Sequence, residues 1–230
     1  MTSGPRPRPP LLLAALAACL VLGCALTSKS EPTIPRYFTP EIDRPGAATG
    51  PGPSPGAQRA ELRLGRISSA SQLDDRIVYR DSAHELGYYL ERRWTEAPEE
   101  YLQRRLARVL FEERGLQRVV AGSAPTLEVD LLAFEEIRVP TRIARVQLTV
   151  RLQDQRLVRW EQTLTVDRPV TVPQGGDAAE ATVQALGVVL GAVVDQIADR
   201  VVRELAAMPV VPAMPVVPAP RIAPALTPPG

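Results

Sequence analysis

Arg145-Val146-Gln147-Leu148-Thr149-Val150-Arg151-Leu152 alternates polar and apolar residues without a break. Extended backbone sends successive side chains to opposite faces. Val146, Leu148, Val150 and Leu152 therefore line one face, and Arg145, Gln147, Thr149 and Arg151 the other. One buried and one wet face is the habit of an antiparallel sheet. The stretch before it carries the same period: Leu127, Val129, Leu131 and Ala133 alternate with Glu128 and Asp130. So does the stretch after it, where Val158, Trp160, Leu164 and Val166 alternate with Arg159, Glu161, Thr163 and Thr165, and Gln162 alone is out of step. Gln153–Arg156 is short enough to be a hairpin turn between the last two strands.

Helical spacing flanks this block on both sides. Pro98 suits the first position of a helix, and Glu99 and Glu100 suit its positive end. Leu102, Leu106, Val109 and Leu110 form one apolar stripe, and Gly115 is suited to end the helix. A second helix is expected over about Asp177–Ala207. Asp177 and Glu180 have capping-box spacing, and Val183, Leu186, Leu190, Val193, Ile197, Val201 and Leu205 repeat at helical intervals. Its small residues, among them Ala181, Ala185 and Gly187, allow close packing on a sheet, and Pro209 stops it. Upstream, Leu62–Ile67, Arg76–Tyr79 and Leu86–Leu90 read as further strands, and Tyr37-Phe38-Thr39 as a brief strand-like piece. The fold expected is α+β: a single domain over residues 60–207, a mixed or mostly antiparallel sheet packed by two main helices.

The flanks have another character. Pro45–Gly56 (PGAATGPGPSPG) is low-complexity linker, and residues 24–59 as a whole read as a tether. Met208–Ala213 (MPVVPA) repeats at once as Met214–Ala219, and residues 208–230 form a proline-rich tail expected to be disordered. Residues 1–23 look like a signal peptide. Arg6 and Arg8 precede the uncharged apolar run Leu11–Leu22, which as a helix rises roughly 18 Å against a hydrocarbon core of ~30 Å, too short for a span. The run ends in Val21-Leu22-Gly23-Cys24, a pattern resembling the lipobox of bacterial lipoproteins. Cleavage before Cys24 removes the other cysteine, Cys19, and acylation consumes Cys24 as the lipid-attachment residue. No disulfide framework and no cysteine metal site remains. Ala25 follows Cys24, where Asp would often mean inner-membrane retention, so the expected location is the periplasmic face of the outer membrane.

The formal net charge is +1, and the signal segment takes Arg6 and Arg8 with it. The near-neutral remainder gives no reason to expect nucleic-acid binding. The sole histidine is His84, in a polar stretch between strands. There is no G-x-S-x-G elbow, H-E-x-x-H, glycine-rich phosphate loop or EF-hand pattern. Asp74-Asp75 and Glu135-Glu136 are adjacent carboxylates, but neighbours on a strand point to opposite faces, so they read as solvated or ion-paired charges. No catalytic residue, metal site or cofactor is expected. Aromatics make up only 4% of the chain, so the gathering of Tyr79, Tyr88, Tyr89 and Trp94 around Arg76, Arg92 and Arg93 stands out. Tyr, Trp and Arg dominate binding hot spots. Arg76, Tyr88, Tyr89, Arg93 and Trp94 are the candidate partner-binding residues. The other reading is that the aromatics pack one end of the core with their polar tips outward.

In order along the chain, the lipobox at Cys24, Tyr37-Phe38-Thr39, Arg76-Ile77-Val78-Tyr79-Arg80, Tyr88-Tyr89, Arg93-Trp94-Thr95-Glu96-Ala97-Pro98 and the Gly/Ala-rich last helix resemble the ABC-type transport auxiliary lipoproteins, the paraquat-inducible protein C-like family. Coverage is about residues 24–207. Phe38, Thr95, the insert at 45–56 and the proline tail depart from the family pattern. The resemblance implies an accessory subunit of an envelope lipid-transport system built from an ABC transporter and a mammalian-cell-entry-domain protein, docking or receiving the periplasmic conduit. The partners then expected are the membrane, through lipidated Cys24, and the mammalian-cell-entry-domain protein, with a homo-oligomer allowed. A different class of function fits the flanks: a structural lipoprotein bridging membrane and cell wall, with the tail as spacer.

Overall fold

The computed structural model describes residues 34–40 and 59–208. Cys24, the linker 45–56 and the tail from 209 onward lie outside the described residues. The strands are β1 (Arg36–Phe38), β2 (Glu61–Ser69), β3 (Arg76–Arg80), β4 (Leu86–Trp94), β5 (Gln117–Arg118), β6 (Thr126–Ile137), β7 (Ile143–Gln153) and β8 (Val158–Pro169). The helices are α1 (Pro98–Ala107) and α2 (Ala178–Ala207). The fold is α+β, as the two periodicities required.

The three alternating segments form the antiparallel meander β6–β7–β8. On its other side β6 pairs in parallel with β2 along its first half and with β3 along its second. β4 joins β3 antiparallel, and β1 and β5 close the remaining edges with short parallel pairings. The sheet is therefore mixed. Parallel neighbours could not be read from alternation, because pairing direction depends on how the intervening chain crosses over.

β6 departs from its expected alternation at one point. Its register with β7 shifts between Leu131 and Ala133, a bulge that turns Leu132 outward. Leu127, Val129 and Leu131 lie opposite Leu152, Val150 and Leu148 on the apolar face, and beyond the bulge Phe134 and Glu136 lie opposite Val146 and Ala144. Ala133, expected on the apolar face, pairs instead with Gln147 on the polar one. One inserted residue exchanges the faces of everything after it.

Both helices start where their sequence directs. Pro98 opens α1 with Glu99 and Glu100 in its first turn. The apolar stripe runs on through Val109 and Leu110, which lie in a π-helical turn, Arg108–Glu113. There Arg114 N–H reaches back to the Val109 carbonyl. Gly115 follows at φ 68°, a conformation open to glycine. α2 begins at Asp177, whose carboxylate accepts the Ala179 N–H at 2.9 Å. α2 is apolar and long enough to cross a membrane, but 67% of its most apolar window is buried inside the domain. It is the central core helix, covering β6, β7 and β8 with Leu186, Val193, Val194, Ile197 and Val201.

Candidate docking site

The aromatic and arginine cluster divides across the sheet. Arg76 and Arg93 are register partners on β3 and β4, as are Val78 and Tyr88. The Arg76 guanidinium lies 3.7 Å from the centre of the Tyr88 ring. Its Nε and terminal nitrogen also donate to Asp74 at 2.9 and 2.7 Å. That hydrogen bonding from Arg76 holds the Asp74 carboxyl below its ordinary range. Arg93 reaches Asp75 at 3.5 Å. Leu90, on the same strand, is 90% exposed. Arg76, Tyr88 and Arg93 make a half-open patch whose arginines are pre-positioned by carboxylates.

Tyr89 points away from Tyr88, as the strand period requires. It is half-buried on the helix-covered face, where its hydroxyl donates to Glu136 Oε2 at 2.6 Å. Its ring meets Tyr79 edge-on at 5.4 Å. Burial, and then the bond to Glu136, push the Tyr89 hydroxyl pKa up. Glu136 has no solvent exposure and takes two further charged donors, Arg142 at 2.5 Å and Arg138 Nε at 3.2 Å. Arg138 in turn lies 3.4 Å over the Tyr79 ring. Glu135, on the opposite face, accepts both nitrogens of Arg80 at 3.0 and 3.2 Å. The adjacent glutamates are ion-paired, as expected, but they are also buried. Glu135 is covered by an arginine far away in sequence, Arg80, and Glu136 by Arg138 and Arg142 at the turn after β6, whose fold-back local periodicity does not show.

Trp94 does not belong to a docking surface. It is 1% exposed, packed 5.3 Å from Phe134 and 6.2 Å from Tyr101 between ring centres. The core-packing reading holds for this residue, because β1 and the start of α1 close over the end of β4. The five candidate residues are thus three on one face, one in a buried polar network and one in the core.

A family model described as the ABC-type transport auxiliary lipoprotein component matches residues 42–198, most of the domain. The chain belongs to this family of transport auxiliary lipoproteins. Solved structures show the same fold as this auxiliary lipoprotein. Protein XCC0632 from Xanthomonas campestris superposes with a TM-score of 0.55 at 21% identity, covering 66% of this chain and 91% of its own. A second crystal structure, of an uncharacterized protein, gives 0.58 at 13% identity, covering 73% and 99%. At these identities the likeness is one of fold alone. None of the curated proteins matches the sequence. Membership makes the chain an envelope lipoprotein serving an ABC transport system, and gives no support to an enzymatic role.

Proposed function

We propose that this lipoprotein is the accessory subunit of a mammalian-cell-entry-type lipid transporter, held on the periplasmic face of the outer membrane by acylated Cys24, and that it docks the conduit protein through Arg76, Tyr88 and Arg93. The observation that carries the docking assignment is the Arg76–Tyr88 stack, on a strand whose Leu90 is left bare. A rigid aromatic ring with a fixed guanidinium and an exposed leucine offers contact area with little side-chain entropy to lose. Tyr89 supports this patch from behind through Glu136 rather than touching a partner. The membrane assignment rests on the lipobox-like sequence at Cys24 and on the family.

Two substitutions in the full-length protein test the reading. Tyr88→Ala should weaken co-purification with the mammalian-cell-entry-domain protein by about tenfold or more, the loss typical of a hot-spot residue. Its melting temperature should stay close to that of the parent. Trp94→Ala is the contrasting control, with about 3–5 kcal/mol of stability lost through a core cavity. Unchanged capture by a well-folded Tyr88→Ala protein would remove the docking assignment.

A further inference from the structure

Two connections leave the sheet side by side at one end. Ile137 pairs with Ile143, and Ile143 with Pro169. The turn 138–142 and the loop 170–176 therefore emerge together, and the Val170 N–H donates to the Arg142 carbonyl at 3.0 Å. Val139 is 59% exposed and Val172 37%. Neither segment contains a carboxylate. The cations there are Arg138, Arg142 and, near the end of β8, the exposed Arg168. Glu136, which Arg138 and Arg142 hold, is buried behind them. Arg168 has no ion-pair partner among the described residues. The nearest acids in the topology, Asp81 and Glu85, belong to the β3–β4 loop, and Asp81 is already turned to Arg138 at 3.6 Å. This end presents apolar side chains amid guanidinium groups, a composition that suits an acidic membrane interface.

The other end of the sheet also bears exposed apolar residues, Val120, Leu157 and Val158. The direction of β1 separates the two. β3 runs parallel to β6 toward the turn 138–142, β4 runs back, and β1 runs parallel to β4. Ile34, just before β1, therefore lies toward the turn end, and it is 85% exposed. Arg36 bonds Asp177 at 2.7 Å, directly after the loop 170–176. The segment that leads from Cys24 thus enters the domain beside this loop. The ten residue steps from Cys24 to Ile34 span at most roughly 35 Å. The opposite end of the sheet lies about 40 Å from this one, the length of the twelve residues of β6.

We propose that the turn 138–142 and the loop 170–176 rest on the acidic phospholipid surface that holds the lipid anchor, with Val139 and Val172 at headgroup depth and Arg142 and Arg168 against phosphates. The contact rests on the acylation of Cys24 proposed above. Exposed valines gain by leaving water at the interface, and each arginine gains from the negative surface potential within a Debye length of it. Arg76 and Arg93 lie at the ends of β3 and β4 remote from the turn, so they stay free to meet the conduit protein.

The test uses the full-length, processed protein in vesicles of phosphatidylethanolamine and phosphatidylglycerol, with some of the lipid carrying a nitroxide at headgroup depth. Acylation blocks Cys24, so a bimane label goes to one introduced cysteine. Thr141→Cys and Gln174→Cys report on the contact, and Ser123→Cys and Gln155→Cys on the opposite end; all four positions are exposed. Quenching at 141 and 174 should exceed that at 123 and 155 by about threefold. Tethering alone favours the same end, so the contact is broken separately. Arg168→Glu combined with Val172→Asp, both at exposed positions, leaves the tether and the melting temperature unchanged and should remove most of the excess. An excess that survives this double substitution shows a tether without a contact and overturns the proposal. Equal quenching at both ends, in protein that floats with the vesicles, overturns it too. Protein that does not float with them at all overturns the anchor, and this contact with it.

Discussion

Two adjacent glutamates on β6 occupy opposite faces of the sheet, and each has its own arginines. Glu135 is held by one guanidinium in a two-pronged bond. Glu136 has Tyr89, Arg138 and Arg142 around it and no solvent exposure. A buried charge is tolerated only with its partners in place, and removal of one partner leaves the others uncompensated. Glu136→Ala is therefore expected to destabilise the fold by about 3–5 kcal/mol, because Arg138 and Arg142 lose their common acceptor at the end of the sheet. Tyr89→Phe removes one neutral donor and should cost about 1–2 kcal/mol. Urea unfolding of both variants checks the order, and equal losses would mean that the charges are solvated. The sequence could identify these glutamates as paired, since arginines abound. It could not show that Arg138 and Arg142 fold back over β6, because the turn joining β6 to β7 sets that geometry.

At the scale of elements, Asp177 ties the start of α2 to the far side of the sheet. Besides capping Ala179 N–H, its carboxylate accepts Arg36 from β1 at 2.7 Å and Arg92 from β4 at 2.9 Å. Burial opposes its charge, but the Arg92 bond and the helix N–H outweigh it and lower its pKa. Asp177→Ala should lose both roles, at about 2 kcal/mol after allowance for the exposed Arg36. Asp177→Asn keeps a capping oxygen and should lose about half of that, a difference that thermal unfolding resolves. The capping function was legible, because an acidic residue before a run of small and apolar residues has one obvious use. The arginine contacts were not, since they join residues 85 and 141 positions apart. The same division holds across the fold. Alternation gave β6, β7 and β8, and helical spacing gave both helices. The bulge at Leu132 and the parallel neighbours of β6 depend on tertiary pairing, which local periodicity does not carry. Of the docking candidates, composition found the cluster but could not assign its sides. Trp94 and Tyr88 look alike as residue types and differ by a layer of packing.

Across the whole molecule, many carboxylates share one electrostatic design: an arginine or a backbone N–H stands against them. Two backbone N–H groups, from Arg156 and Leu157, and then Arg159 hold Asp154 down at about 2, below its ordinary 3.8. Arg76 lowers Asp74, Arg151 lowers Glu161 and Arg145 lowers Asp167. A carboxyl with a lower pKa folded than unfolded binds its proton better in the unfolded chain. Its contribution to stability is complete above the ordinary carboxylate range and is lost as pH falls through the folded value. Arginine does not titrate here, so these pairs produce no matching loss on the alkaline side. The Tyr89 hydroxyl works in the other direction. Its pKa is raised by burial and by Glu136, so its contribution persists up to the ordinary tyrosine range and fades as pH rises beyond it. The melting temperature should therefore be level from about pH 5 to about pH 9 and fall steeply from about pH 4 toward pH 2. Salt separates the contributions. Arg151 and Glu161 are equally exposed partners on the open face, and such pairs are screened, whereas the buried Glu136 network is not. Raising salt from about 0.05 to 0.5 M should lower the neutral-pH plateau only slightly and make the acid limb shallower. A melting temperature that stays constant down to about pH 2.5 would show that the arginine pairs contribute nothing, and that the apolar layer under α2 holds the sheet alone.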